Sequence, residues 1–207
     1  MKTIEFFKNL KLIALLFGAI TIIGCSDDDD AAPEEENELE VITNVSLVFT
    51  NTGDATDVVT VTAVDPDGLG VQELEVDPAG ITLSTDATYN LSFIILNALE
   101  EPAEDIGDEI AEEDDEHQFF FSFTEGAFAN PTGNGNVDTA SDPINYNDED
   151  GNGNPLGLST TWTTSATPTA GGNFTVRLQH QPDVKTATSG STDGDTDFNL
   201  SFVLNVQ

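Results

Sequence analysis

The chain has 207 residues, with 39 acids against five bases, a formal charge of −34, two histidines and one cysteine. So negative a surface repels nucleic acid and anionic lipid headgroups, which excludes both as partners and favours cations or a basic patch on another protein. The same charge also keeps an exposed protein soluble, so it names no ligand by itself.

The first segment is an address and not part of a fold. In MKTIEFFKNLKLIALLFGAITIIGC, Lys2, Lys8 and Lys11 precede an apolar run from Leu12 to Ile23, then Gly24 and Cys25. That is the layout of a secretory signal over residues 1–24, and the run is short for a transmembrane helix of roughly 20 residues. A lone cysteine in an exported chain has no disulfide partner. "IIGC" resembles the bacterial lipobox, and "CSDDDD" is similar to the acidic export tag of surface lipoproteins in Bacteroidota-type cells. The resemblance implies that Cys25 is acylated and becomes the new N-terminus. It also implies an outer-membrane anchor facing the cell exterior, with the periplasmic face as the alternative. Several acyl chains on one cysteine give stable anchoring. Loss of residues 1–24 removes Lys2, Lys8, Lys11 and Glu5 and leaves Arg177 and Lys185 against 38 acids, a formal −36.

Residues 25–38, from the lipidated Cys25 through "SDDDDAAPEEENE", hold almost nothing that can pack and read as a disordered, self-repelling tether. Residues 39–207 show no repeat and no second linker, and are long enough for a single domain burying roughly 70% of its unfolded surface. Inside it, alternation of apolar and polar residues with a period of two predicts strands near 41–49, 57–64, 80–84, 88–96, 117–124, 158–164, 174–180 and 197–206. The last is the clearest, with Phe198, Leu200, Phe202, Leu204 and Val206 on one face. About eight short strands suggest a mainly β fold, a two-sheet antiparallel β-sandwich, immunoglobulin-like or similar. Between strands, "EEPAEDIGDEIAEEDDE" places Pro102 and acids where a first helical turn accepts them, and Ile106 and Ile110 four apart. This predicts one short helical crossover, with Gly107 and the unrelieved charge leaving a loop as the alternative.

Two constellations carry candidate chemistry. In "EEDDEHQFFF", five acids run into His117, which shares a strand face with Phe119, Phe121 and Phe123. His180 closes the face of Phe174, Val176 and Leu178 just before Pro182. If these strands are antiparallel neighbours the imidazoles meet; if parallel they lie roughly 20 Å apart at about 3.3 Å per residue. His117 and His180 with Glu116 and Asp115 would suit zinc or a similar divalent ion. The alternative is that each histidine caps the rim of the core. The second constellation is "NDEDGNGNPLGL", where Asp148, Asp150 and Asn152 fit the opening of a calcium loop, but Ser159 stands where an EF-hand has its closing glutamate. A weak calcium turn or a plain hairpin loop remains. "DPDG" at Asp65 and "DGDTD" at Asp193–Asp197 read as turns of the same kind.

Catalytic motifs are absent: no G-x-S-x-G, no H-E-x-x-H, no G-x-x-x-x-G-K, and no free cysteine nucleophile. The expectation is therefore a protein that is not an enzyme. Trp162 with Tyr89 or Tyr146 could line a sugar-binding face, although a single tryptophan in a sandwich is more often core.

From Asn97 on, "LNALEEPAEDIGDEIAEEDDEHQFFFSF", "DEDGNGNPLGL", "VRLQHQPD" and the strand after "DGDTDF" resemble a group of small flavobacterial surface lipoproteins. Some are labelled as having a type 1 periplasmic-binding fold, which needs alternating βα units that residues 39–207 do not show. The resemblance carries no catalytic residues. It implies an accessory of a TonB-dependent outer-membrane transporter that captures a cation or nutrient; the two constellations above, and not the resemblance, make zinc or calcium the candidate cofactors. The alternative is a structural or adhesive surface lipoprotein with no small-molecule ligand.

Overall fold

In the computed structural model the described residues are 40–68, 73–137 and 143–207. The signal segment, Cys25 and the acidic tether lie outside them. Among the described residues no helix is long and apolar enough to cross a membrane.

Among the described residues, eleven strands and one helix follow in chain order. The first part holds β1 (Asn44–Asn51), β2 (Val58–Val64), β3 (Glu75–Val76), β4 (Ile81–Leu83), β5 (Thr88–Asn97) and β6 (Glu104–Asp105). After the helix α1 (Ile106–Glu112) come β7 (His117–Phe123), β8 (Phe128–Asn130), β9 (Ser159–Thr164), β10 (Thr169–His180) and β11 (Asp195–Val206). They form two sheets. The larger runs β3-β2-β1-β5-β9-β8 with β6 beside β5, and the smaller runs β4-β11-β10-β7. The expected mainly β sandwich is therefore the fold, with its larger sheet strongly curled. One pair departs from the antiparallel expectation: β4 lies parallel to β11, Ile81 opposite Leu204 and Leu83 opposite Val206.

The period-two pattern explains the layers. Val45, Leu47 and Phe49 of β1 and Tyr89, Leu91 and Ile95 of β5 face inward from one sheet. Phe119, Phe121, Phe174, Val176, Leu178, Phe202 and Leu204 face them from the other. Each buried side chain of this size contributes about 1.5–3 kcal/mol. Trp162 is the centre of an aromatic cluster, with ring contacts to Phe121, Phe123, Phe128 and Phe174. Trp162 and Tyr89 have no exposed area, and the Tyr146 hydroxyl donates to the carbonyl of Phe119 at 2.6 Å. These three residues therefore form no sugar-binding platform: they are spent on the core and its edge.

The edge of β7 is sealed by the chain itself. Residues 134–137 pass alongside it, with Phe123 N–H donating to the Asn134 carbonyl at 2.9 Å and Asn136 N–H to the Phe121 carbonyl at 2.7 Å. The Asn136 side chain accepts from Phe121 N–H and donates to the Tyr146 hydroxyl. Such an approach requires Gly135, whose φ is +102° and whose place a Cβ could not share, since it would stand 2.1 Å from the Phe121 carbonyl oxygen.

α1 starts later than Pro102. Its N-cap is Asp105, whose side chain accepts from Gly107 N–H, and Ile106 and Ile110 are its buried face. Pro102 instead precedes the short β6. The helix ends at Glu113, with acids in its first turn and no base in its last, an arrangement the helix dipole favours at one end only.

Candidate metal centre at the histidine end

The two histidines meet. β7 and β10 are antiparallel neighbours, and the final rung of their ladder pairs His117 with His180 directly. The imidazoles stack with centroids 4.5 Å apart and planes 3° from parallel. Both side chains lie on the core face of their strands, beyond Phe119 and Leu178, at one end of the sandwich. His117 has no exposed area and His180 only 5%.

The chain feeding β7 supplies partners for each ring. α1 and the turn after it bring Glu113 four residues before His117, so that His117 Nδ1 lies 3.2 Å from the Glu113 carbonyl oxygen. A carbonyl only accepts, so this bond requires Nδ1–H and leaves Nε2 as a bare lone pair. His180 Nε2 lies 3.3 Å from a Glu116 carboxylate oxygen. With Nε2–H donating there, His180 Nδ1 is the bare nitrogen. His117 Nε2 and His180 Nδ1 are both buried and have no hydrogen-bond partner. Burial, aided by the His180 and Lys185 charges and opposed by the bond to Glu113, lowers the His117 pKa to about 4. Its ring is thus neutral at neutral pH, the form a metal needs.

Among the described residues, the group of three metal-ligating side chains whose donor atoms fall within 4.8 Å of one another is Glu113, His117 and His180. Asp115, a member of the expected set, is not in that group. Glu113 takes its place because the turn over residues 113–116, closed by Glu116 N–H donating to the Glu113 carbonyl, brings it back to the histidine, and the run of acids before His117 was the sequence signal for it. Glu116 is at the site, but as the partner of His180.

A second carboxylate at this end carried no such signal. The β10–β11 register slips between Leu178 and Gln179: Leu178 faces Phe198, whereas Gln179 faces Thr196. Asp197 is the extra residue of this β-bulge. Strict alternation would put it outside with Asn199 and Ser201, but a bulge sets two successive side chains against one partner and re-aims one of them. The Asp197 side chain has no exposed area, and its Oδ2 lies 4.0 Å from His117 Nε2. Neither carboxylate oxygen has a hydrogen-bond partner. Burial pushes its pKa up to about 7, against the opposing His180 charge and with Glu40 and Asp195 adding to the rise.

The calcium-like turn is built differently. Asp150 Oδ1 accepts from Asn152 and Asn154 N–H at 2.8 Å each. Its Oδ2 takes the Asn154 side chain at 3.0 Å and Lys185 Nζ at 3.3 Å. Asp148 accepts from Gly157 N–H through one oxygen and from Ser159 N–H through the other. The acids of this turn hold the chain together, and Asn152 takes part through its backbone. Asp65 likewise caps its own turn, accepting from Asp67 and Gly68 N–H.

Comparison with protein families, curated proteins and solved structures finds no match for the chain. The chemistry of this end of the sandwich must therefore be read from the residues themselves.

Proposed function

We propose that the chain is a non-catalytic binding module, a lipoprotein of the outer-membrane surface that captures a divalent cation at the His117–His180 pair. The observation that carries this reading is the pair itself: two stacked, buried imidazoles at the end of one β-ladder, each with one nitrogen engaged and the other bare. Metal-bound histidines characteristically give their second nitrogen to a carbonyl or carboxylate, as His117 does to Glu113 and His180 to Glu116. Glu113 supplies the charge that completes the site, its donor atom lying within 4.8 Å of those of both histidines, and the rings turn out of their face-to-face stack to bring two nitrogens onto one ion. The anchor at Cys25 and the acidic tether rest on the sequence, and delivery to a TonB-dependent transporter rests on the resemblance to flavobacterial lipoproteins.

The test is metal content. Purified protein loaded with zinc and dialysed should retain close to one equivalent, and His117→Ala and His180→Ala should each lose it. Equal metal content in all three proteins sinks the proposal and leaves a structural or adhesive surface lipoprotein.

A further inference from the structure

Both imidazoles depend on one short turn. Residues 113–116 link α1 to β7. At the start of this turn the Glu113 carbonyl stands 3.2 Å from His117 Nδ1, and at its end the Glu116 carboxylate stands 3.3 Å from His180 Nε2. The Glu113 carboxylate is the group that joins the two histidines within metal-binding reach. Whatever fixes this turn therefore fixes the surroundings of both rings.

A buried lysine does so. Lys185, in the connection after β10, has a side chain only 1% exposed, and its Nζ donates to the Asp114 carbonyl in the middle of the turn. Its other partner is the Asp150 carboxylate, 3.3 Å away and without exposed area. Asp150 is fixed in its own turn by the N–H groups of Asn152 and Asn154. The backbone ties Lys185 to the same end of the sandwich: its N–H donates to the Gln181 carbonyl at 3.0 Å, and Gln181 N–H donates to the Glu116 carbonyl. Lysine is almost never fully buried unless it is paired, and this one is paired on both sides, joining turns 113–116 and 148–154 that lie far apart in the chain.

Resting on the cation-capture reading above, we propose that Lys185 is a positioning residue of that site: it holds the 113–116 turn so that Glu113 stays beside the histidines and Glu116 stays on His180, and the Asp148–Asn154 turn anchors it through Asp150. Outer groups that orient the ligands of a metal typically set affinity by about 10- to 100-fold. The acids of the 148–154 turn then serve the histidine end from a distance, through one ammonium.

The assignment is tested by titrating the full chain and its variants with zinc against a chromophoric chelator, with the Tm of each metal-free protein recorded alongside. Lys185→Met keeps most of the apolar stem and should weaken zinc by about 10- to 100-fold. Because it leaves Asp150 unpaired, the double variant Lys185→Met with Asp150→Asn, which strands no charge, should show the same loss. Leu83→Ala is the control for stability: Leu83 is buried in β4, opposite Val206 at the far end of β11 from His180. It should lower Tm and leave zinc affinity within about twofold, as for a site without shared partners. Zinc affinity unchanged in both lysine variants, or lost equally in Leu83→Ala, would overturn the positioning role. Nitrogen-detected NMR of the metal-free proteins gives a second readout. The ring-nitrogen signals of His117 and His180 should shift in Lys185→Met and stay in place in Leu83→Ala, and rings unmoved in Lys185→Met would overturn the proposal. A wild-type chain that binds no zinc would sink the cation-capture reading itself, and the NMR comparison would then still decide whether Lys185 holds the rings.

Discussion

The Asp148–Asn154 turn and the histidine end are made of the same acidic and amide-rich kind of sequence, yet their carboxylates are treated in opposite ways. In the turn, Asp148 and Asp150 receive backbone N–H groups, and Asp150 also receives Lys185. At the histidine end, Asp197 is buried with neither oxygen bonded. Buried polar groups in folded proteins are nearly always satisfied. A carboxylate that the chain has satisfied is therefore structural, and one it has buried and left bare points to a partner from outside. Acid content alone does not separate the two regions; the accounting of hydrogen bonds does.

The largest expected effect breaks the satisfied side. Asp150→Ala removes the counter-charge of Lys185, whose side chain is only 1% exposed, and frees two N–H groups of the turn. Removing one partner of a buried ion pair costs up to about 3–5 kcal/mol, here reduced because Lys185 also donates to the Asp114 carbonyl, so the fall in Tm is at most on the order of 10 °C for a domain of this size. A loss below about 1 kcal/mol in urea unfolding would mean that the turn is not closed as described.

Next comes the hairpin that positions His180. Gly194 has φ +77°, and a Cβ there would stand 2.1 Å from the His180 carbonyl oxygen. Gly194→Ala should cost at least about 1–3 kcal/mol and weaken zinc binding. Wild-type stability and affinity together would show that the close approach is not needed.

On the bare side the sign reverses. Asp197→Asn removes a buried charge without changing shape, so the metal-free protein at pH 8 should gain roughly 1–3 kcal/mol, read as a higher Tm. The pH dependence sharpens this. The folded-state pKa of Asp197 is raised from 3.8 to about 7, so its contribution is fully present below pH 3.8 and is lost as pH rises through 7. That of His117 is lowered from 6.5 to about 4, so its contribution is fully present above pH 6.5 and is lost as pH falls through 4. Between pH 4 and 6.5 the two oppose each other at about 1.4 kcal/mol per pH unit each. Glu113, Glu116 and His180 face the same pair and are common to both variants. Stability of metal-free His117→Ala should therefore fall with rising pH across that window, and that of Asp197→Asn should rise. Parallel profiles would refute the opposition.

The smallest effect is a null one. A ligand that binds only the folded state must stabilise it, and the oxygens of Asp148 and Asp150 are already engaged. Millimolar calcium should move Tm by less than about 1 °C, and a clear rise would reopen the turn as a site.

How much of this was legible follows from what alternation can encode. The core faces of β5, β10 and β11 were readable because each apolar stripe keeps strict parity, Phe198 to Val206 most plainly. The meeting of His117 with His180 was conditional on strand order, which pairing across the chain decides and no local pattern states. Glu113 was legible only as one of the acids before His117, because a turn over residues 113–116, and no periodic spacing, brings it back to the histidine. Asp197 was not legible, because a bulge is a defect in the very period used to read the strand. Pro102 misled because it favours a first turn in general, whereas Asp105 offers the better cap through its bond to Gly107 N–H. The parallel β4 was hidden by its length, since three residues carry too little pattern to fix direction.

The closed edge of β7 bears on how such molecules behave side by side. Exposed strand edges invite β-augmentation by a neighbour, the route to runaway sheet extension. Along β7 the outward N–H groups of Phe119, Phe121 and Phe123 and the carbonyls of Phe119 and Phe121 are all taken by Leu156, Asn134, Asn136, Val137 and Tyr146. A second molecule arriving at that flank finds the rungs from Phe119 to the Phe123 N–H already taken.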